Sequence, residues 1–166
     1  MLAAMNQGIY PMRHASRLLL ALLFTALLAG CFGGTKKMIN PPRASLQELV
    51  AQANGQWRLT VRLQNFSNVP TTFDSVRAKL VVSGQDAGAI TLTPALTIGP
   101  ESADIVSTTI SPALLAKATL ASALSAGRPV RYTLSGRINT HDPKRDDEFS
   151  YESTLNPAPG LTGVMR

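Results

Sequence analysis

The eight residues Trp57-Arg58-Leu59-Thr60-Val61-Arg62-Leu63-Gln64 constrain the fold more than any other stretch of the chain. Apolar and polar side chains alternate without a break. Successive side chains of a strand point to opposite faces, so this pattern demands a strand with one dry and one wet face. Such strands belong to antiparallel sheets whose dry face packs on a second apolar layer. Asn54-Gly55 stands just in front, a dipeptide suited to the positive φ angles of a two-residue hairpin turn. Leu46 to Ala53 is therefore expected to pair back on it. Ser45-Leu46-Gln47-Glu48 also spells a capping box, which would start a helix instead; of the two readings we favour the hairpin.

Similar segments follow. Thr72 to Ser83 turns at Ser83-Gly84, and Ala87 to Ile98 is interrupted by Pro94, which suits an edge or bent strand. Ser102 to Ile110, Pro129 to Thr140 and Glu148 to Leu155 complete the set. One stretch differs: Leu114 to Leu124 is rich in Ala and Leu, with Ser111 as N-cap, Pro112 in the first turn and Gly127 as a stop. It reads as a helix, either binding a partner or lying as a lid over one end. About seven short strands with one helix predict an all-β sandwich over residues 44–156. Residues 157–166, with Pro157, Pro159, Gly160 and Gly163, are expected to be an irregular tail.

The N-terminus addresses location. Leu18 to Leu28 is apolar but shorter than the roughly 20 residues of a membrane-spanning helix. Arg13, His14 and Arg17 precede it, as in a secretory signal peptide beginning at Met1 or Met12. The run ends in Leu28-Ala29-Gly30-Cys31, which resembles the lipobox of bacterial lipoproteins. The resemblance implies cleavage before Cys31 and a diacylglyceryl group on its thiol, holding the protein to a membrane. Phe32 in place of aspartate implies the outer membrane, facing the periplasm, more than the inner one. Residues 1–30 are then a signal peptide and residues 31–43 a lipidated cysteine and tether. Cleavage leaves 136 of the 166 residues, enough for one domain, and the loss of Arg13 and Arg17 takes the net charge from +6 to +4. As the sole cysteine, Cys31 leaves no disulfide to be formed within the chain. The charge is scattered and lacks the basic stripe that marks nucleic-acid binding. Lys36 and Lys37 could touch anionic headgroups or be ordinary linker lysines.

The stretch Val61-Arg62-Leu63-Gln64-Asn65-Phe66-Ser67-Asn68-Val69-Pro70 resembles the late embryogenesis abundant type 2 family, also called the WHy (water stress and hypersensitive response) domain. An alternating strand runs into an Asn-centred turn and a Pro. Leu80-Val81-Val82-Ser83-Gly84 and Ile98-Gly99-Pro100-Glu101-Ser102 match later features of the family, and the likeness extends from about Leu46 to Leu155. Phe66 departs from the family's usual Pro. The resemblance implies an immunoglobulin- or fibronectin-like sandwich with one helix, a link to dehydration stress and no catalytic residues. Independently of the family, Asn65 at a strand end suits a structural turn, with Asn68 and Pro70, more than a ligand site.

No catalytic, metal or cofactor site emerges. His141 is the only histidine after the signal segment, and no Gly-x-Ser-x-Gly elbow or phosphate loop is present. Asp142, Asp146, Asp147 and Glu148 could hold a hard cation, but Lys144 and Arg145 lie among them, and a solvated hairpin tip is the better reading. The wet-face residues Arg58, Arg62, Arg131 and Arg137 are a candidate partner face. The expected protein is a non-enzyme with no small-molecule substrate, no nucleic acid and no cofactor beyond the lipid on Cys31. Two functions compete: a WHy-type stress or envelope-protecting lipoprotein, and an adaptor of an envelope transport or secretion complex that binds through a sheet edge or face.

Overall fold

A computed structural model describes residues 36–166, within which Lys37–Arg166 forms one compact unit. The signal segment, the lipobox residues Leu28, Ala29 and Gly30, and Cys31 lie outside the described residues. Among the described residues two antiparallel sheets pack face to face, with one short helix. The first has the order β6-β2-β1-β9, from β1 (Arg43–Ala51), β2 (Trp57–Gln64), β6 (Ala103–Ile110) and β9 (Val164–Met165). The second runs β4-β3-β7-β8, from β3 (Thr71–Val82), β4 (Gln85–Leu92), β7 (Val130–Asp142) and β8 (Lys144–Leu155). A short β5 (Leu96–Ile98) also pairs with β3. The helix α1 spans Leu114–Ser125.

The alternation in β2 is realised in full. Trp57, Leu59, Val61 and Leu63 are buried, and Arg58 and Arg62 are exposed. They meet Phe73, Val76, Leu80 and Val82 of β3 and Tyr132, Leu134 and Ile138 of β7 in one core. A single hydroxyl joins the two layers. Tyr132 of the second sheet donates to the Leu46 carbonyl (3.2 Å) and accepts the Leu46 N–H (3.1 Å) in the first. Leu46 precedes a bulge in β1, and its backbone groups point away from β2. Burial pushes the Tyr132 phenol up to about 12, against a partial lowering from the bond to Leu46.

The favoured hairpin holds: β1 runs Arg43–Ala51, and pairing with β2 buries Leu46 and Leu49. Other expectations are corrected in detail. The hairpin loop runs from Gln52 to Gln56, longer than two residues: Asn54 accepts the Gln56 N–H (2.9 Å), and Gly55 has φ +78°. Ser83-Gly84 does form a tight turn, with φ of +47° and +80°. The expected strand Ala87 to Ile98 is two strands. Pro94 has no N–H to donate, and the chain breaks there so that β4 and β5 pair with successive parts of β3. Ser111 does not cap the helix; Ala113 holds that position with no side-chain cap. The helix rests Ala116, Leu120 and Ala123 in the core beside β3 and β4, and leaves Leu114 and Leu115 exposed.

The tail is not irregular throughout. Val164–Met165 pairs with Leu49 and Val50, Met165 is fully buried, and Asn156 and Arg166 exchange backbone hydrogen bonds of 2.6 and 2.8 Å. Two residues are too few to show a period, and the partner strand is more than a hundred positions away, so sequence reading misses this closure.

Gly136 lies opposite Ala78 in the β3–β7 ladder, where a Cβ would overlap the Arg77 carbonyl oxygen and lie 2.6 Å from the Ala78 Cα. Gly136→Ala is expected to cost about 3 kcal/mol, read as a lower denaturant midpoint. Alkaline titration supplies a second test. The folded Tyr132 holds its proton above the unfolded value of about 10, so its contribution to stability is complete below pH 10 and is lost as pH rises toward 12. Absorbance should show a late-titrating tyrosine that Tyr132→Phe removes.

Candidate functional site

The turn after β2 is dense in hydrogen bonds. Asn65 is 1% exposed. Its Nδ2 donates to the carbonyls of Val69 (2.7 Å), Gly99 (2.9 Å) and Ile98 (3.2 Å), and its Oδ1 accepts the Ser67 N–H (2.9 Å). One amide thus closes its own turn and clasps the β5–β6 connection. Ser67, also buried, accepts the Asn40 N–H (3.0 Å) and donates to the Asn40 carbonyl (3.3 Å). Asn68 accepts the Met38 N–H (2.7 Å), and Asn40 donates to the Phe66 carbonyl (2.8 Å). Pro70 stands exposed at the entry to β3. The second half of the expected tether is therefore part of the domain from Met38 onward. Loop residues 38–42 carry no period, so only the positions of their acceptors reveal it.

The four arginines proposed as one face do not share one. Arg58 and Arg62 lie on the outer face of the first sheet, and Arg131 and Arg137 on that of the second, with the core between them. Alternation tells which side chains are wet but not which sheet a strand joins. The two pairs also differ electrically. Arg137 binds Asp146 (3.1 Å) and Glu148 (2.9 Å) on β8, which raise its already high pKa, Asp146 most. Arg131 faces Glu152 at 3.4 Å. Among the described residues no ion pair engages Arg58 or Arg62. Glu48, opposite Thr60 between them, is held instead by Arg166 at 2.7 Å.

Of the four acids expected at a hairpin tip, Asp142 is there, at the end of β7, and the other three lie in strand β8. Pairing with β7 continues to His141–Lys144, so Asp146, Asp147 and Glu148 are cross-strand neighbours rather than loop residues. Asp147 binds Arg145 (2.5 Å), and Asp146 and Glu148 bind Arg137. These bonds use the carboxylates that a cation would need. His141 Nδ1 and Asp74 Oδ1 share a 2.5 Å hydrogen bond on the open surface of this hairpin. Near the start of β1, the Arg43 guanidinium stacks over Phe66 (5.1 Å) and Tyr151 (5.5 Å), a cluster no sequence pattern announces. A groove of about 590 Å³ lies between α1 and the tail and is lined by Ala121, Leu124, Pro157 and Leu161, among others, with no charged side chain.

No family model and no curated protein matches the chain. Solved structures do. AT1g01470 from Arabidopsis thaliana superposes with a TM-score of 0.54 at 12% identity, covering 79% of this chain and 93% of that one. A protein described as a putative late embryogenesis abundant (LEA) protein, At2g46140.1, gives a TM-score of 0.47 at 10% identity, covering 89% and 88%. A protein from Archaeoglobus fulgidus gives 0.41 at 12% identity, covering 73% and 98%. The likeness to AT1g01470 is one of fold.

Replacing Asn65 by Ala strips three carbonyls and one N–H of their partner in a buried turn. We expect Asn65→Ala to lower unfolding free energy by about 2–4 kcal/mol, measured by urea denaturation. Asn65→Asp should do at least as much damage, because a carboxylate would face the three carbonyls with no N–H to donate.

Proposed function

We propose that this is a membrane-anchored, non-catalytic envelope lipoprotein with a WHy-like domain, which protects against desiccation or envelope stress by binding or shielding. The observation that carries the reading is the turn at Asn65. The stretch that resembles the WHy domain is also the one that fastens Met38 and Asn40, shortly after Cys31, into the sandwich. Its polar side chains are occupied by backbone groups, as suits a structural rather than a catalytic motif. The fold is shared with AT1g01470, and this reading needs that architecture and no more from the likeness. In this proposal Cys31 carries the acyl chains, since two or three buried chains hold a protein to a bilayer where one does not. The outer membrane, facing the periplasm, is the proposed location. Neither nucleic acid nor a small-molecule substrate is proposed as a partner.

Two measurements test it. Cells fed radiolabelled palmitate should label the protein, and Cys31→Ser should abolish both the label and recovery in the membrane fraction. The purified mature protein should preserve a labile enzyme through drying better than albumin at equal mass. Performance no better than albumin, with a stoichiometric partner crosslinked in intact envelopes, would replace protection with the adaptor role.

A further inference from the structure

We propose that the free edge of β6 accepts an extended segment of a partner polypeptide, acidic on the face it shares with Ile105, Arg58 and Arg62 and apolar on the opposite face, beside Val106 and Thr108. This goes beyond the protective reading and does not rest on the lipid anchor. Exposed sheet edges invite foreign strands, and proteins ordinarily blunt them with charge, bulges, proline or short length. Among the described residues three of the four sheet edges are blunted. β8 presents Lys144, Asp146, Glu148 and Glu152 in alternation. Along β4, a bulge lies in its pairing with β3, Gly88 has φ +112°, and the strand stops before Pro94. β9 has two residues.

The fourth edge is β6. It holds eight residues in unbroken register with β2, and five are β-branched: Ile105, Val106, Thr108, Thr109 and Ile110. Its one charge is Asp104. The direction of its backbone groups follows from the ladder. The Asn65 N–H bonds the Ser102 carbonyl, so in an antiparallel pair the hydrogen-bonded partners continue as Leu63 with Asp104 and Val61 with Val106. The same alternation turns Leu46 away from β2, where Tyr132 does bond it. Ile105, Ser107 and Thr109 therefore aim their N–H and C=O groups outward. Asp104 covers the Ile105 N–H (2.7 Å), and among the described residues no strand pairs on the side of Ser107 and Thr109.

The neighbouring charges select the partner. Ile105, 53% exposed, stands beside Arg62, and Thr109 beside Arg58. An added strand lies about 10 Å from β2, two strand spacings, which an arginine and a glutamate can span together. Among the described residues Arg58 and Arg62 form no ion pair, and Arg166 holds the nearby Glu48. Acidic side chains on the incoming segment would supply forked hydrogen bonds to them. A second copy of this chain fits less well, because pairing β6 with β6 would gather four such arginines on one face.

The test uses the full-length protein in detergent micelles with two acetylated eight-residue peptides, one alternating Val with Glu and one alternating Val with Lys. Hydrogen–deuterium exchange should slow across Ala103–Ile110 with the Glu peptide and stay unchanged across Lys144–Leu155. The Lys peptide should bind at least tenfold more weakly, and Ser107→Pro, which removes an outward N–H without touching the ladder to β2, should abolish protection. Should that variant fold poorly, the double variant Arg58→Gln, Arg62→Gln should bring the two peptides to equal affinity. Equal binding of both peptides to the unaltered protein, or protection elsewhere, would overturn the proposal. So would β6 protection without peptide in a particle of doubled protein mass, which would assign the edge to a second copy.

Discussion

The buried amide of Asn65 is the constraint on which one end of this sandwich depends. A sandwich end is a place where strands stop and backbone groups lose their ladder partners. Each group left without a bond in a buried position costs about 1–3 kcal/mol. Asn65 meets that requirement for three carbonyls and one N–H at once, and so joins the β2–β3 turn to the β5–β6 connection. Ser67 and Asn68 extend the same arrangement to Met38 and Asn40. Tyr132 does comparable work between the sheets, where its hydroxyl occupies backbone groups that a bulge in β1 leaves facing away from β2.

Charge is distributed with equal economy on one sheet and not on the other. The outer face of the second sheet is a lattice of opposite charges, with Arg137 between Asp146 and Glu148, Arg131 opposite Glu152, and Lys79 on Asp86 at 2.9 Å. The hydrogen bond from Lys79 holds the Asp86 carboxyl below the ordinary aspartate range, with the Gly88 N–H assisting. Exposed pairs of this kind contribute little to stability. Their larger effect is to make β8 an unwelcoming edge. The first sheet has the opposite character: among the described residues Arg58 and Arg62 form no ion pair, and Asp104 is the one charge along β6. An asymmetry between the two faces gives the molecule a side to present.

Much of the architecture was legible in the chain. Alternation over Trp57–Gln64 and Val130–Ile138, the Ser83-Gly84 turn and the Ala-rich run at α1 are local signals, and each element they predict exists. The candidate site was legible only in part. Asn65 stood out because an amide at a strand end has few reasons other than a turn to be there. The four arginines were correctly read as exposed, yet they were grouped on one face, because a period of two does not say to which sheet a strand belongs. The acids of β8 were read as a tip, because a run of charges hides the apolar alternation that marks a strand. Only the register with β7, which sets Arg137 against Asp146 and Glu148, shows otherwise.

The division between the two kinds of information has a physical origin. Local sequence determined which segments extend, which one coils and which side chains shun water, because these depend on neighbours a few residues away. It also carries the apolar run and lipobox-like end before Cys31, on which the reading of the protein as an anchored lipoprotein stands. Tertiary structure decided what distance along the chain conceals: the tail closing on β1, the Tyr132 hydroxyl seated on Leu46, the loop at Asn40 bound to Ser67, and which edge stays open. These contacts join residues 27 to 86 or more positions apart, and no pattern within one strand can encode a partner that lies in another.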